Sequence, residues 1–134
     1  LIAIPRSSSR DRPPRPRTRR LVRHARAMGE YLEQQPSRDE IDALARPAVV
    51  AFGTNWCGYC LGAERHIKPA LAEHPELPVI WAEDGPGRPL GRSFRVKLWP
   101  TLVFMKDGQE VHRLVRPQGQ QEIEQALRQL AQSV

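Results

Sequence analysis

A run of apolar residues that leads into two closely spaced cysteines constrains the fold of this chain more than any other feature. The run, Ala48–Phe52, lies between a proline and a glycine, and this pattern predicts a short buried strand. The motif Trp-Cys-Gly-Tyr-Cys follows at Trp56–Cys60 and contains both cysteines of the chain. A strand that leads into Cys-x-x-Cys at the start of a helix is typical of a thiol–disulfide redox site.

The segment after the motif has the periodicity of a helix. Its apolar residues recur at helical spacing, namely Cys60, Ala63, Ile67 and Leu71. We expect a helix over Cys57–Glu73, with a kink or an early end at Pro69. Cys57 would then face solvent at the positive end of the helix dipole, which favours thiolate over thiol, while Cys60 would lie on the apolar face.

Downstream of the motif the pattern alternates between strands and helices. Strands are predicted at Leu77–Ala82, at Leu102–Met105 and at Glu110–Val115, and an Asp-Gly pair would join the last two as a hairpin. A short helix with Leu90 and Phe94 would separate the first two strands. An amphipathic helix would close the chain, with an apolar face made of Ile123, Ala126, Leu127 and Leu130.

The residues before the first strand divide into two parts. Residues 1–27 are rich in Arg, Pro and Ser and offer little to bury, so we expect a disordered extension followed by a single domain over 28–134. Two short helices are predicted between Leu21 and Leu44, separated by Pro36. The second would begin with a capping box at Ser37–Glu40.

The basic charge of the chain belongs to that extension. Residues 1–27 contain nine arginines and one aspartate, whereas the other 107 residues carry 12 Lys and Arg against 14 Asp and Glu. Such a tail could bind nucleic acid or an anionic membrane, but it has no aromatic residue for base stacking, so we do not expect nucleic acid as a partner. The alternative is a tail with no specific function.

No stretch of the sequence is apolar enough to span a bilayer, so no membrane association is expected. Leu1–Ile4 is too short for the core of a signal peptide. We therefore expect a cytoplasmic protein, with a periplasmic one as the alternative.

Four features of residues 37–132 occur together in one known superfamily. They are the strand Val49–Phe52, the motif Trp56–Cys60, the pair Pro100-Thr101 about 40 residues later, and the hairpin turn Lys106–Gly108 before the last helix. With them the chain resembles the thioredoxin superfamily. The resemblance implies an α/β thioredoxin fold, in which a central mixed sheet of four or five strands is flanked by helices. It also implies that strands 48–53 and 77–82 are parallel and that the Trp99–Pro100 bond is cis.

The resemblance also assigns chemistry to the motif. Cys57 would be the nucleophile and Cys60 the resolving thiol, with no cofactor beyond their redox-active disulfide. The substrate groove would be lined by Trp56, Tyr59, Trp99, Pro100, Thr101 and Arg116. Trp81, away from these motifs, is expected in the core. The implied partners are protein disulfides and a thioredoxin-reductase-like or other thiol electron donor, and we expect a monomer.

A zinc site is the main alternative for the cysteines. Zinc usually takes four ligands, and only His66 lies nearby in the sequence, which disfavours this reading.

Two positions depart from the superfamily pattern. Ala51 stands where thioredoxins usually carry a buried aspartate, so the usual proton acceptor for Cys60 is missing. Glu64 is a candidate substitute acceptor, and its alternative role is an ion pair with Lys68. Arg116 stands where a glycine is common, and it would either favour acidic substrates or have no role.

These features predict an enzyme, a thiol–disulfide oxidoreductase that reduces protein disulfides. The Gly-Tyr pair between the cysteines keeps a disulfide isomerase or oxidase open as an alternative. The non-enzymatic alternative is a thioredoxin-fold binding module, and deletion of residues 1–27 would separate it from an enzyme.

Overall fold

The structure, a computed structural model, describes residues 30–132. The predicted extension over residues 1–27 and most of the first predicted helix lie outside this range. In chain order the elements are α1 (Arg38–Asp42), β1 (Ala48–Gly53), α2 (Gly58–Ala72), β2 (Val79–Glu83), α3 (Pro89–Ser93), β3 (Thr101–Lys106), β4 (Gln109–Val115) and α4 (Gln120–Gln132).

The four strands form one mixed sheet in the order β2-β1-β3-β4. β1 is parallel to β2 and antiparallel to β3, and β3 continues into β4 as an antiparallel hairpin. All six residues of β1 are buried, as expected of a central strand with both faces covered. The predicted thioredoxin fold and the parallel pairing of its first two strands are confirmed.

Residues 30–36 differ from the sequence prediction, because they form no helix. Leu32 instead makes a parallel bridge to Ala82 on the outer side of β2. Its N–H donates to the Trp81 carbonyl at 2.9 Å, and its carbonyl accepts from the Glu83 N–H at 3.0 Å. The open edge of β2 offers unpaired backbone groups, and pairing with that edge outweighs the local helical pattern of this segment.

Helices cover both faces of the sheet. On one face α2 and α4 bury Ile67, Ile123 and Leu127 against β1 and β3. On the other face α1 and α3 supply a second buried cluster that includes Ile41 and Leu90. The four residues Val49–Phe52 of β1 alternate between the two clusters, as the pleat of a strand requires. Trp81 is buried in the first cluster, as expected.

Two local signals in the sequence appear in the structure as predicted. The Ser37 hydroxyl accepts from the Glu40 N–H at 3.1 Å, and the Ser37 N–H donates to the Glu40 carboxylate at 2.9 Å, which completes the capping box of α1. In the hairpin, Asp107 and Gly108 both have positive φ, at 52° and 77°. Two successive positive φ angles are what a tight hairpin with an Asp-Gly turn requires.

Helix α2 does not end at Pro69. It continues to Ala72, close to the predicted boundary, and Ala70 on its buried face still packs into the core. Packing of this face therefore compensates for the backbone hydrogen bond that proline cannot make. None of the helices among residues 30–132 is long and apolar enough to cross a membrane.

Candidate active site

Cys57 is the N-cap residue of α2, directly after the loop that leaves β1. Its backbone is extended, and the unpaired N–H groups of the first helical turn lie beside it. Its side chain is only 9% exposed, so the prediction that it faces solvent is wrong. The difference arises because Cys57 packs into the same apolar cluster as Cys60. Both cysteines are free thiols in this structure.

Cys60 lies in the first turn of α2 and is fully buried, as predicted. Burial raises the pKa of its thiol to about 12, a main-chain hydrogen bond from Thr54 acts in the opposite direction, and the neighbouring Cys57 thiol raises it further. Cys60 is therefore protonated at neutral pH. Any reaction in which Cys60 acts as a nucleophile must first remove that proton.

The surroundings of Cys60 offer no carboxylate at the usual position. Ala51 is fully buried in the centre of β1, opposite Trp81 on β2. The Glu64 carboxylate lies 3.5 Å from the Lys68 ammonium, so the alternative ion pair does form. Its role as a proton acceptor for Cys60 stays a prediction.

Two tryptophans meet beside the motif. The rings of Trp56 and Trp99 are edge to face, with centroids 5.9 Å apart. The Trp99 indole N–H donates to the Asp84 carboxylate at 2.8 Å, and the Trp99–Pro100 bond is cis, as predicted. Trp56 is 73% exposed, so this pair offers an apolar surface to a docking partner.

Thr101, a predicted groove residue, does not border the surface groove. It is 1% exposed, and its hydroxyl donates to the Leu98 carbonyl at 2.6 Å. The hydroxyl therefore holds the loop before Pro100, and it does not line the groove.

Arg116 lies across the groove in a conformation that explains why glycine is common at this position. Its backbone φ is +50°, in a region that residues other than glycine rarely adopt. The guanidinium stacks on the Tyr59 ring at 3.8 Å, and its Nε donates to the Trp99 carbonyl at 2.8 Å. The Trp99 carbonyl is therefore already paired.

Tyr59 and Arg116 also border a surface groove of about 350 Å³, which extends over Gly62, His66 and Pro100. Among residues 30–132, no group of three or more His, Cys, Asp or Glu side chains is placed to hold a metal ion.

Tyr31 is a site residue that the sequence predictions missed. It is 2% exposed, and its ring packs edge to face on Trp81 with centroids 5.3 Å apart. A Cβ atom at Gly53 would lie 2.6 Å from the Cys60 sulfur and 2.8 Å from Cζ of Tyr31, so both groups close over this glycine. The glycine at the end of a buried strand was the available signal, since it indicates a close approach.

The sequence matches the family model described as Thioredoxin over residues 30–129. Thioredoxin 2 from Pseudomonas aeruginosa PAO1, solved in its reduced form, is 48% identical and superposes with a TM-score of 0.71 over 78% of this chain and 97% of that chain. Thioredoxin from Mycobacterium tuberculosis H37Rv is 33% identical over 79 residues, and protein disulfide-isomerase A2 from Pongo abelii is 35% identical over 95 residues.

The two curated relatives match over different shares of their lengths. The matched segment is 55% of this chain and 65% of the mycobacterial thioredoxin. It is 60% of this chain and 18% of the disulfide isomerase. The chain thus spans less than two thirds of either relative.

Proposed function

Because the chain belongs to the thioredoxin family, we propose that it is a thiol–disulfide oxidoreductase that reduces disulfide bonds of other proteins. The observation that carries this proposal is the placement of the two thiols. Cys57 caps α2 beside the exposed Trp56, and Cys60 lies behind it in the core. One thiol at the N-terminus of the helix, 9% exposed, and one fully buried thiol are what a two-step exchange requires.

The reaction transfers two electrons from the cysteine pair to the substrate disulfide. The Cys57 thiolate attacks one substrate sulfur, forms a mixed disulfide and releases the other substrate sulfur, which takes up a proton. Cys60 then loses its proton and attacks the Cys57 sulfur. A Cys57–Cys60 disulfide forms, and the second substrate thiol leaves. A thioredoxin-reductase-like or other thiol donor returns the pair to the reduced state.

The groove supports recognition of an extended polypeptide. Pro100 has no N–H, so a partner strand can approach the peptide before it and pair as an added strand does. Trp56 and Trp99 supply the apolar contact, and the guanidinium of Arg116 favours substrates with acidic residues beside the disulfide. To pair with the Trp99 carbonyl, a substrate would replace the Arg116 side chain.

We also propose that the protein acts as a monomer in the cytoplasm. The support for the cytoplasm is that both cysteines belong to the motif, which leaves none for the structural disulfides common in secreted proteins.

The deciding experiment is the equilibrium between the Cys57–Cys60 pair and glutathione, followed by reduction of an exposed protein disulfide. A reductase should have a reduction potential of about −270 mV, the value of thioredoxin itself, whereas the potential of a strong oxidant is about −120 mV. Cys57→Ser should abolish turnover. A potential near the oxidising value, or turnover that survives this substitution, would contradict the proposal.

Isomerase activity is the second candidate. Two observations favour it: the Gly-Tyr pair between the cysteines and the similarity to a segment of protein disulfide-isomerase A2. An isomerase should restore activity to a protein with scrambled disulfides faster than a matched amount of free dithiol does. A reductase should release thiols from that protein without restoring its activity.

A further inference from the structure

In the resolving step Cys60 must become a thiolate inside the core, and nothing in the Cys57–Cys60 pair itself stabilises that charge. Cys60 is fully buried, and position 51 offers only a methyl group where a carboxylate could stand. A thiolate at Cys60 is therefore costly unless a neighbouring group donates to it.

Two buried hydroxyls, those of Thr54 and Tyr31, lack a hydrogen-bond partner among the described residues, and Tyr31 is the one whose ring closes with the Cys60 sulfur over Gly53. The Tyr31 hydroxyl is buried and has no hydrogen-bond partner among the described residues. Cζ of Tyr31, which carries this hydroxyl, and the Cys60 sulfur both lie within 3 Å of the position of a Cβ at Gly53. The two groups are close enough to act on each other's pKa, but they do not meet the strict geometry of a hydrogen bond in the reduced state.

We propose that Tyr31 donates its phenolic hydrogen to the Cys60 sulfur as that sulfur becomes the attacking thiolate. The inference rests on the proposed role of Cys60 as the resolving thiol. A buried hydroxyl without a partner is unfavourable, so a hydroxyl retained beside the sulfur indicates a use in another state of the site. The unused donor and the charge that needs one lie together in the same cluster.

The tyrosine is held from three sides. Its N–H donates to the Asn55 side-chain oxygen and its carbonyl accepts from the Asn55 amide nitrogen, both at 3.0 Å. Trp81 packs against the ring, and the bridge of Leu32 to β2 fixes the next residue. Asn55 lies in the loop that carries Cys57, so the cysteine motif and the tyrosine are fastened to each other.

The phenol acts as a donor, because its proton is held firmly. Burial raises the pKa of Tyr31 well above its usual range, and the nearby Cys60 and Glu64 raise it further. In the resolving step the Cys60 proton passes to solvent, and the released substrate sulfur takes up one proton. The Tyr31 O–H bond stays intact, and its hydrogen bond stabilises the Cys60 thiolate until the Cys57–Cys60 bond forms. This is consistent with the direction of the effect of Tyr31, which lowers the pKa of Cys60.

The test is Tyr31→Phe, which removes only the hydroxyl. The reduced protein is mixed with dithiobis(nitrobenzoic acid): attack by Cys57 releases the first nitrothiobenzoate, and attack by Cys60 on the mixed disulfide releases the second. We expect the first release to be unchanged. The second should be about tenfold slower at neutral pH, the effect of losing one hydrogen bond to a charged group. Its pH profile should shift to higher pH.

Three further variants give the result its meaning. Ser93→Ala removes a hydroxyl from α3, on the opposite face of the sheet, and should leave both releases unchanged. Asn55→Ala keeps the phenol but releases its backbone, and it should slow the second release by a smaller factor. Glu64→Gln tests the other group near the phenol. A pH profile that moves in Glu64→Gln and stays fixed in Tyr31→Phe would make Glu64 the proton acceptor and overturn the proposal.

A purely structural role of Tyr31 predicts a different pattern. Phe keeps the ring contacts and removes an unpaired buried hydroxyl, so the thermal midpoint should stay equal or rise. An unchanged second release with an unchanged pH profile would overturn the proposal. If the same variant still gives the first release and still reduces protein disulfides, the proposed function stands. If the wild-type protein forms no Cys57–Cys60 disulfide at all, it is the proposed function that fails.

Discussion

At the scale of single residues, Gly53 is the position of the site that leaves least room for a larger side chain. It ends β1, and the space of its missing side chain is taken by the Cys60 sulfur and the Tyr31 ring. The glycine is needed for its small size, because the close contacts leave no room for a methyl group. An added methyl group would have to displace two buried side chains that both belong to the proposed resolving step.

We therefore predict that Gly53→Ala destabilises the protein by about 1–3 kcal/mol, the usual cost of overpacking a core. The expected loss should appear as a lower denaturant midpoint of the reduced protein. Gly62→Ala is the matched control, because nothing lies within 4 Å of a Cβ at that position and alanine is favoured within a helix. Equal midpoints for the two variants would mean that Tyr31 and Cys60 can move apart at no cost.

At the scale of elements, the loop after β4 joins the groove to the hairpin. Arg116 is the first residue after this strand, and its N–H donates to the Pro100 carbonyl at 2.8 Å. The main chain of this loop thus fixes the residues around the cis peptide bond, while the Arg116 side chain occupies the Trp99 carbonyl. The same residue serves both the fold and the groove.

Replacing Arg116 should change substrate preference more than stability. Arg116→Gly relieves a backbone conformation that costs about 1 kcal/mol or more in a non-glycine residue, and this offsets the loss of its side-chain contacts. We expect kcat/KM to fall for disulfide peptides with acidic flanks and to stay level or rise for basic ones. Arg116→Lys keeps the charge and is the matched control. If Arg116→Gly lowers kcat/KM equally for both peptides, charge does not set the preference.

Local patterns predicted most of the elements, and they failed where a distant partner decides. The strand β1, the capping box at Ser37 and the Asp-Gly hairpin depend on neighbours in the sequence, and each was predicted correctly. The segment around Tyr31 depends on the edge of β2, whose residues lie about 50 positions later. The local sequence pattern of this segment predicts a helix, because it contains no information about the edge of β2. The local sequence patterns therefore point to Cys57, Cys60 and Pro100 and give no sign of Tyr31.

At the scale of the whole molecule, the buried thiol links stability to pH. The pKa of Cys60 is about 12 in the folded protein against an ordinary value of 9.0. Below pH 9 the thiol is protonated in both states, so it adds no pH dependence. Between about pH 9 and pH 12 the unfolded chain loses this proton and the folded protein keeps it, so the folded state loses stability as the pH rises.

We predict that the free energy of unfolding of the reduced protein falls through this window, by up to about 1.4 kcal/mol per pH unit from Cys60 alone. Denaturant unfolding at a series of pH values measures the slope. Cys60→Ala should remove the slope between about pH 9 and pH 10, whereas above pH 10 the raised pKa of Tyr31 adds a slope of its own. A slope between pH 9 and pH 10 that survives in Cys60→Ala would assign the effect to other groups.

The bridge at Leu32 has a consequence for how the buried thiol meets reagents. Residues 30–36 are attached to the sheet through this bridge, which is far weaker than the pairing of β1 with its two neighbours. Local opening of this segment should therefore cost less than global unfolding and should uncover Cys60 while the rest of the sheet stays intact. Hydrogen exchange at the amides of Leu32 and Glu83 should then report the same opening as alkylation of Cys60 by iodoacetamide in Cys57→Ser. If alkylation instead follows the slowest amides of β1, the thiol is reached only through global unfolding.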